Sequence, residues 1–471
     1  MARRVEKDAL GEVEIPAEAY YGITTQRVLQ DFKISGLHLH PKFLEAYTLL
    51  KKSCAFANMK MGLLDHRLCE AIVQASDEIL SGRLRDQFVV DAFQMGAGTS
   101  FNMNCNEVIA NRANEILGSK KGKYSPIHPN DHVNMSQSTN DTFPTAMRLA
   151  ILMTLRDLHT EILQMEKSLR KKGREFDNIA KSGRTHLQDA VPVRLGQELK
   201  AYSVAIRKCR KAIQRVEQSC REVGIGGTAA GTGLNIKVGY REEVIDQLNS
   251  MTGLKLEPAE DLREAMQSQS AVAEVSAALR NLALELIRIS NDLRLLSSGP
   301  KTGLAEIRLP AVVPGSSIMP GKVNPSILEM LGMVCFQVVG NDLAISMAVQ
   351  AGQLELNVMM PVMAFNILFS IEILTNAIRQ TRVRCIDGIE ADEERCRYYS
   401  EATLGLATIL NPIIGYKKAA EVVKRALREK KTLVEVIRED KILSEEEIRE
   451  VMNPARMTEP TLPSKRKNKK I

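Results

Sequence analysis

Apolar stripes in the middle of the chain limit its fold more than any other feature. Leu199, Tyr202, Ile206, Cys209, Ile213, Val216 and Cys220 recur in alternating steps of three and four, and so do Leu279, Leu282, Leu286, Ile289, Leu293 and Leu296. That spacing puts a bundle-type seam along one face of a long helix, and a seam of this length needs other helices to cover it. A third stripe, Met147, Ile151, Leu155, Leu158, Ile162, Met165 and Leu169, follows Pro144, and a fourth, Ile367, Ile371, Leu374 and Ile378, follows Pro361. Behind Asn324 and Pro325, read as an N-cap and a first-position proline, the apolar run Ile327 to Val339 adds another. The pattern predicts a mainly α fold with a central bundle of about five long helices between Asp141 and Arg384. Met and Tyr within such stripes are read as packing.

The flanks differ from the centre. Residues 1–140 mix short helical segments with Gly- and Pro-containing turns, and VEIPAEAYYG, Val13 to Gly22, looks extended. The bundle is assigned to 141–395 and a small helical domain to 396–463, where LSEEEIREVMNP opens on a Ser444 cap. Residues 464–471 form a basic tail expected to be disordered. Of the net charge of +7, five charges are Lys465, Arg466, Lys467, Lys469 and Lys470, leaving +2 for the rest. No aromatic interleaving or binding motif accompanies them, so no nucleic-acid partner is expected. The 8 cysteines form no C-x-x-C pair and no cluster with metal-ligand spacing, so structural zinc is not expected and buried free thiols are. MARRVEKD lacks an apolar leader region, and no run of about 18 uninterrupted apolar residues occurs. A cytoplasmic protein with no membrane partner is the expectation.

Polar clusters sit between the stripes. GSSIMPGKVNP, Gly315 to Pro325, joins two hydroxyls, Ser316 and Ser317, to Lys322 and Asn324 in a loop punctuated by Pro and Gly, ahead of the positive end of a helix dipole. GAGTSFNMN places Thr99 and Ser100 behind two glycines, and SQSTND sets Ser138, Thr139 and Asn140 at the start of the first long helix. Taken singly, either cluster is ordinary capping and turn chemistry. GRTHLQDAVP adds Thr185 and His186 in a loop between two long helices, and GGTAAGTGLN, Gly226 to Asn235, is a glycine-rich turn better read as close packing than as a phosphate site. A helix from about Asp141 to Lys172 is about 45 Å long, with Ser138 to Asn140 at one end and Thr185-His186 past the other. If both groups serve one site, neighbouring subunits must pack antiparallel.

Residue for residue, GSSIMPGKVNP resembles the signature loop of the aspartase/fumarase superfamily, lyases that eliminate a group from a succinyl skeleton to give fumarate. The likeness extends through LGEVEIPAEAYYG, NEVIANRA, HVNMSQSTND, GRTHLQDAVP, NDLRLLSSGP and AGQLELNV, essentially the whole chain. GAGTS together with Ser138-Thr139-Asn140 is similar to the pattern of the ammonia-lyases acting on aspartate, whereas fumarases usually carry Gly-Ser-Gly-Thr and Ser-Ser-Asn. GGTA at Gly226 to Ala229 is shared by both. Met95 and Met360 depart from the pattern, standing where relatives have Gly and Glu.

The resemblance implies an aspartase/fumarase-like fold and a homotetramer whose active sites each draw on three chains. It also implies reversible elimination of ammonia from L-aspartate through an enediolate carbanion. Thr99, Ser138, Thr139 and Ser317 would grip the carboxylate that gains charge, while Thr185, Lys322 and Asn324 would hold the other. Asn140 and His186 would sit at the amino group, and Ser316 would be the general base. Serine needs backbone N–H groups or Lys322 close by to serve as a base. Ammonium leaves already protonated, so no organic cofactor is required, and no all-protein metal site is evident, although divalent-metal activation is compatible with the family. Water elimination from malate, elimination of another amine, and a non-catalytic helical scaffold are the alternatives.

Overall fold

The computed structural model describes residues 2–460, so the basic tail expected at 464–471 lies outside the described residues. Five long helices dominate: Thr139–Glu175, Leu195–Val216, Ser270–Leu296, Ser326–Gln350 and Met360–Arg384. The stripes read from the sequence form their buried faces. Met147, Ile151, Leu158, Ile162, Ile213, Leu282, Ile367, Ile371 and Leu374 are fully enclosed. The Thr139 helix begins earlier than its stripe implies and carries Pro144 inside it, so the carbonyl of Asn140 lacks its usual donor four residues on.

Contacts divide the chain into two compact units, and each of the five helices contributes residues to both. One unit comprises the chain up to Thr160 with Cys209–Ala283 and Val334–Thr375; the other comprises Glu161–Lys208, Leu284–Met333 and the chain from Asn376 on. In the first unit, strands β1 (Arg3–Asp8) and β2 (Gly11–Pro16) pair antiparallel. The Arg4 guanidinium donates to the carbonyls of Pro16, Ala19 and Tyr21, tying the hairpin to the turn that follows. The extended stretch expected at Val13 to Gly22 therefore holds only to Pro16, and a helix runs from Ile23 to Asp31. Its first N–H groups are capped from afar, because the buried Glu107 carboxylate accepts from the N–H groups of Gly22, Thr24 and Thr25 and from the Thr25 hydroxyl.

In the second unit, short helices close over Leu406, Leu410, Val436, Ile437 and Ile448. Thr432 and Ser444 each open a helix with a reciprocal capping box, and Ser444 is the cap expected there. The segment expected to be a loop around Thr185 is instead an antiparallel hairpin, β3 (Ala180–Thr185) and β4 (Gln188–Arg194). Its two connecting residues, His186 and Leu187, carry none of the Asn-Gly chemistry that announces such a turn.

Seven of the cysteines are buried and Cys209 is half-buried. Burial pushes the thiols of Cys54, Cys105, Cys220, Cys335, Cys385 and Cys396 up to about 12 and that of Cys69 to about 11. Because the thiolate is the reactive form, iodoacetamide at pH 8 is expected to spare these seven in the native protein and to modify all of them after unfolding, as read by peptide mass spectrometry.

Candidate active site

Four of the candidate residues gather in the first unit. Gly96–Gly98 forms a tight turn in which Ala97 and Gly98 have φ of +59° and +84°, and Thr99 opens the helix that runs to Ile116. A Cβ at position 98 would lie 2.0 Å from the Phe143 ring. Gly98 thus lets this turn press against the start of the Thr139 helix, bringing Thr99 toward Ser138, Thr139 and Asn140. The Thr99 hydroxyl has only a long contact, 3.4 Å, to the Gly96 carbonyl, which leaves it available to a ligand. Ser138 caps its helix: Oγ accepts from the Asn140 N–H at 3.2 Å, and its carbonyl accepts from both N and Oγ1 of Thr142.

Beneath this turn lies a polar floor. Asp141 is 0% exposed; Oδ1 accepts from the Ser138 N–H at 3.0 Å and Oδ2 from the N–H groups of Gly226 and Thr228 at 3.1 and 2.9 Å. Burial pushes its carboxyl up to about 7 against those three donors. Lys51, also 0% exposed, donates to Asn134 Oδ1 and Gln137 Oε1, both at 2.9 Å, and burial brings its ammonium down to about 8. Asn134 further accepts from Asn102 and Asn106, so the residues leading into Ser138 are fixed from below. The glycine-rich segment at Gly226 packs closely, as read from the sequence, and also bears directly on this turn.

The remaining candidates belong to the second unit. Thr185 and His186 are exposed at the tip of the β3–β4 hairpin, where His186 and Leu187 both adopt positive φ, +55° and +58°. Two adjacent non-glycine residues in that conformation carry strain of about 1–3 kcal/mol each, which surrounding structure must hold. A charge cluster lies at the hairpin base. Arg184 Nη1 lies 2.9 and 3.0 Å from the two carboxylate oxygens of the fully buried Glu306, and its guanidinium lies 5.2 Å from the centre of the Tyr399 ring. Lys181 joins Glu306 at 3.3 Å and Glu198 at 2.9 Å.

The 315–325 loop is closed by its own backbone. The Gly315 N–H donates to the Lys322 carbonyl at 2.9 Å, and a Cβ on Gly315 would lie 2.3 Å from that oxygen. Asn324 does not cap the Ser326 helix as the sequence implied; its Nδ2 donates to the Gly315 carbonyl at 2.7 Å, and the Pro325 carbonyl accepts the first helical N–H groups instead. The Ser316 Oγ accepts from the N–H groups of Ile318 and Met319 at 3.2 and 2.9 Å. Ser317 and Lys322 project from the loop, and a cavity of about 370 Å³ lies against Val312, Val313, Ser316, Met319 and Lys322.

Asp141, Lys51, Arg184 and Glu306 carry no sequence signal of their own. Asp141 and Arg184 lie inside quoted motifs, but only complete burial of Asp141 and the ion pair of Arg184 with Glu306 distinguish them from surface charges. Of the two departures, Met360 is 0% exposed at the start of its helix, whereas Met95 is 39% exposed beside the Gly96 turn. Among the described residues no group of three or more His, Cys, Asp or Glu could hold a metal ion. Gly98→Ala is expected to lower stability by about 3 kcal/mol through the Phe143 clash and the left-handed backbone, measured by denaturant unfolding.

Comparison with known proteins covers nearly the whole chain. The family described as Lyase matches residues 11–340, and the family described as Fumarase C C-terminus matches residues 406–459. An aspartate ammonia-lyase of Bacillus subtilis is 48% identical over 98% of this chain and 97% of its own length, and one of Helicobacter pylori is 44% identical over 97% and 98%. Among solved structures, a fumarate lyase:delta crystallin from Brucella melitensis bound to cobalt superposes with a TM-score of 0.94 at 48% identity, over 98% of this chain and 100% of that one. A class II fumarase from Schistosoma mansoni gives 0.94 at 38% identity over 97% and 99%.

Proposed function

The chain belongs to the lyase family that it matches, within the aspartase/fumarase superfamily, and from that premise we propose that it is an aspartate ammonia-lyase, converting L-aspartate reversibly into fumarate and ammonium. The observation that carries the mechanism is at Ser316. Two backbone N–H groups point at its Oγ, and such donors stabilise an alkoxide that an isolated serine could not reach at neutral pH. They supply what a serine base requires.

Removal of the β-proton leaves an enediolate with a second negative charge on one carboxylate, and lowering that barrier is the task of preorganised donors. Thr99, Ser138, Thr139 and Ser317 are assigned to this carboxylate; the first three lie at helix N-termini, where the dipole adds to the field. Thr185, Lys322 and Asn324 are assigned to the α-carboxylate. Asn140 and His186 are assigned to the amino group, which departs as ammonium and so requires neither a strong acid nor an organic cofactor.

The assembly is a homotetramer in this reading. Ser138 to Asn140 open a 37-residue helix, about 55 Å long at 1.5 Å per residue, and Thr185-His186 follow its far end in the chain, so active sites completed by neighbouring subunits fit that length. The Ser326 helix supports the same conclusion. Met333, Phe336, Leu343 and Met347 lie along it at steps of three, seven and four, 57–66% exposed, a bare bundle seam of the kind a second copy covers. By length and composition this helix and the Met360 helix are also apolar enough to cross a membrane, but the Met360 helix is largely core. A cytoplasmic location is part of the proposal.

Three outcomes are expected. Purified protein releases fumarate, followed by its ultraviolet absorbance, from L-aspartate and not from L-malate; the reverse pattern would make it a fumarase. Ser316→Ala lowers turnover by about 10²–10⁴-fold with KM little changed, and unchanged turnover removes Ser316 from the role of base. Light scattering gives four chains per particle, and Phe336→Glu dissociates it with loss of activity.

A further inference from the structure

Asn140 is held by a bond that decides which end of its amide faces outward. Its partner, 2.9 Å away, is the carbonyl of Ala229. A carbonyl only accepts, so Nδ2 is turned toward it and Oδ1 is left free. The loop that supplies this carbonyl is itself in an unfavourable conformation. Thr228, immediately before Ala229, is β-branched and sits at φ +55°, where a β-branched residue is a true outlier. Its hydroxyl does not explain the conformation, because Oγ1 is buried with no partner among the described residues. Asp141 does explain it: one carboxylate takes the N–H groups of Gly226 and Thr228 on Oδ2 and that of Ser138 on Oδ1, fastening the glycine-rich loop to the turn that bears the candidate residues. What the strained residue achieves is the direction of the next carbonyl.

We propose that Asp141 and the Gly226–Ala229 loop are a positioning device that locks the Asn140 amide with Oδ1 toward the substrate, as an acceptor for the N–H groups of its ammonium. Asp141 touches no substrate atom and acts through the Ala229 carbonyl. Without the lock, the amide rotates freely, and half of its orientations present Nδ2 to a group that can only donate. The proposal rests on the aspartate reading, in which Asn140 faces the amino group. GGTA and Asn140 are part of the fumarase pattern as well, so the device serves whatever donor the α-carbon carries and is no discriminator between amine and hydroxyl.

Succinate separates this role from a structural one, since it has both carboxylates of aspartate and no amino group. Asp141→Asn is expected to lower kcat/KM for L-aspartate by about tenfold or more, while the inhibition constant of succinate stays within about twofold. Equal losses for the two, which would mean that the whole turn had moved, overturn the proposal, as does an unchanged kcat/KM. Crystals of the wild-type chain soaked with L-aspartate give a test that does not depend on the variant folding. The amino nitrogen is expected within hydrogen-bond distance of Asn140 Oδ1 with Nδ2 still on Ala229, and an amide released from Ala229 overturns the lock. A wild-type enzyme that forms no fumarate from aspartate overturns the aspartate reading and this inference with it, whereas the other negative outcomes leave that reading in place.

Discussion

Long apolar seams govern everything else in this molecule. A helix of 25 or more residues, such as those at Thr139, Ser270, Ser326 and Met360, gives its length to packing, and a side chain on the seam has no water, ligand or freedom with which to react. The candidate residues accordingly lie where the seams stop. Thr99, Ser138, Thr139 and Asn140 open helices, Ser316 to Asn324 precede one, and Thr185 and His186 cap a hairpin between two. Helix beginnings also carry unpaired N–H groups, so the same geometry that excludes ligands from the bundle offers donors to an anion at its ends.

The seams were legible because their signal is repetitive: each stripe offers many residues that agree, and most of them lie buried as the spacing demands. The signature loop was legible for a different reason, as an unusual string of small, charged and cyclic residues. What the sequence hid has no repetition. The β3–β4 hairpin turns on His186 and Leu187, and nothing local to those side chains favours positive φ. Asn324 looked like a cap because it precedes a proline and a helix, yet its amide donates to the Gly315 carbonyl across the loop and the Pro325 carbonyl accepts the first helical N–H groups. Asp141 and Lys51 looked like ordinary charges, and their importance comes from complete burial, which a linear pattern does not reveal.

Buried charge is the second theme, and it costs stability wherever it occurs. In each unit it lies near candidate residues: Asp141 and Lys51 by the Ser138 turn, and Lys181 and Glu306, with the half-buried Arg184, at the base of the hairpin. Apolar packing could fill the same volumes more cheaply but could not dictate direction, since dispersion contacts have none. Ion pairs and charge-assisted hydrogen bonds do.

The hairpin tip carries a consequence for stability. A two-residue connection with both φ positive is what Asn-Gly supplies without strain, so replacing His186 and Leu187 with that pair would make the fold sturdier. The imidazole at this tip therefore sits in a conformation that histidine adopts reluctantly, and the hairpin holds it at a cost in stability that Asn-Gly would not incur.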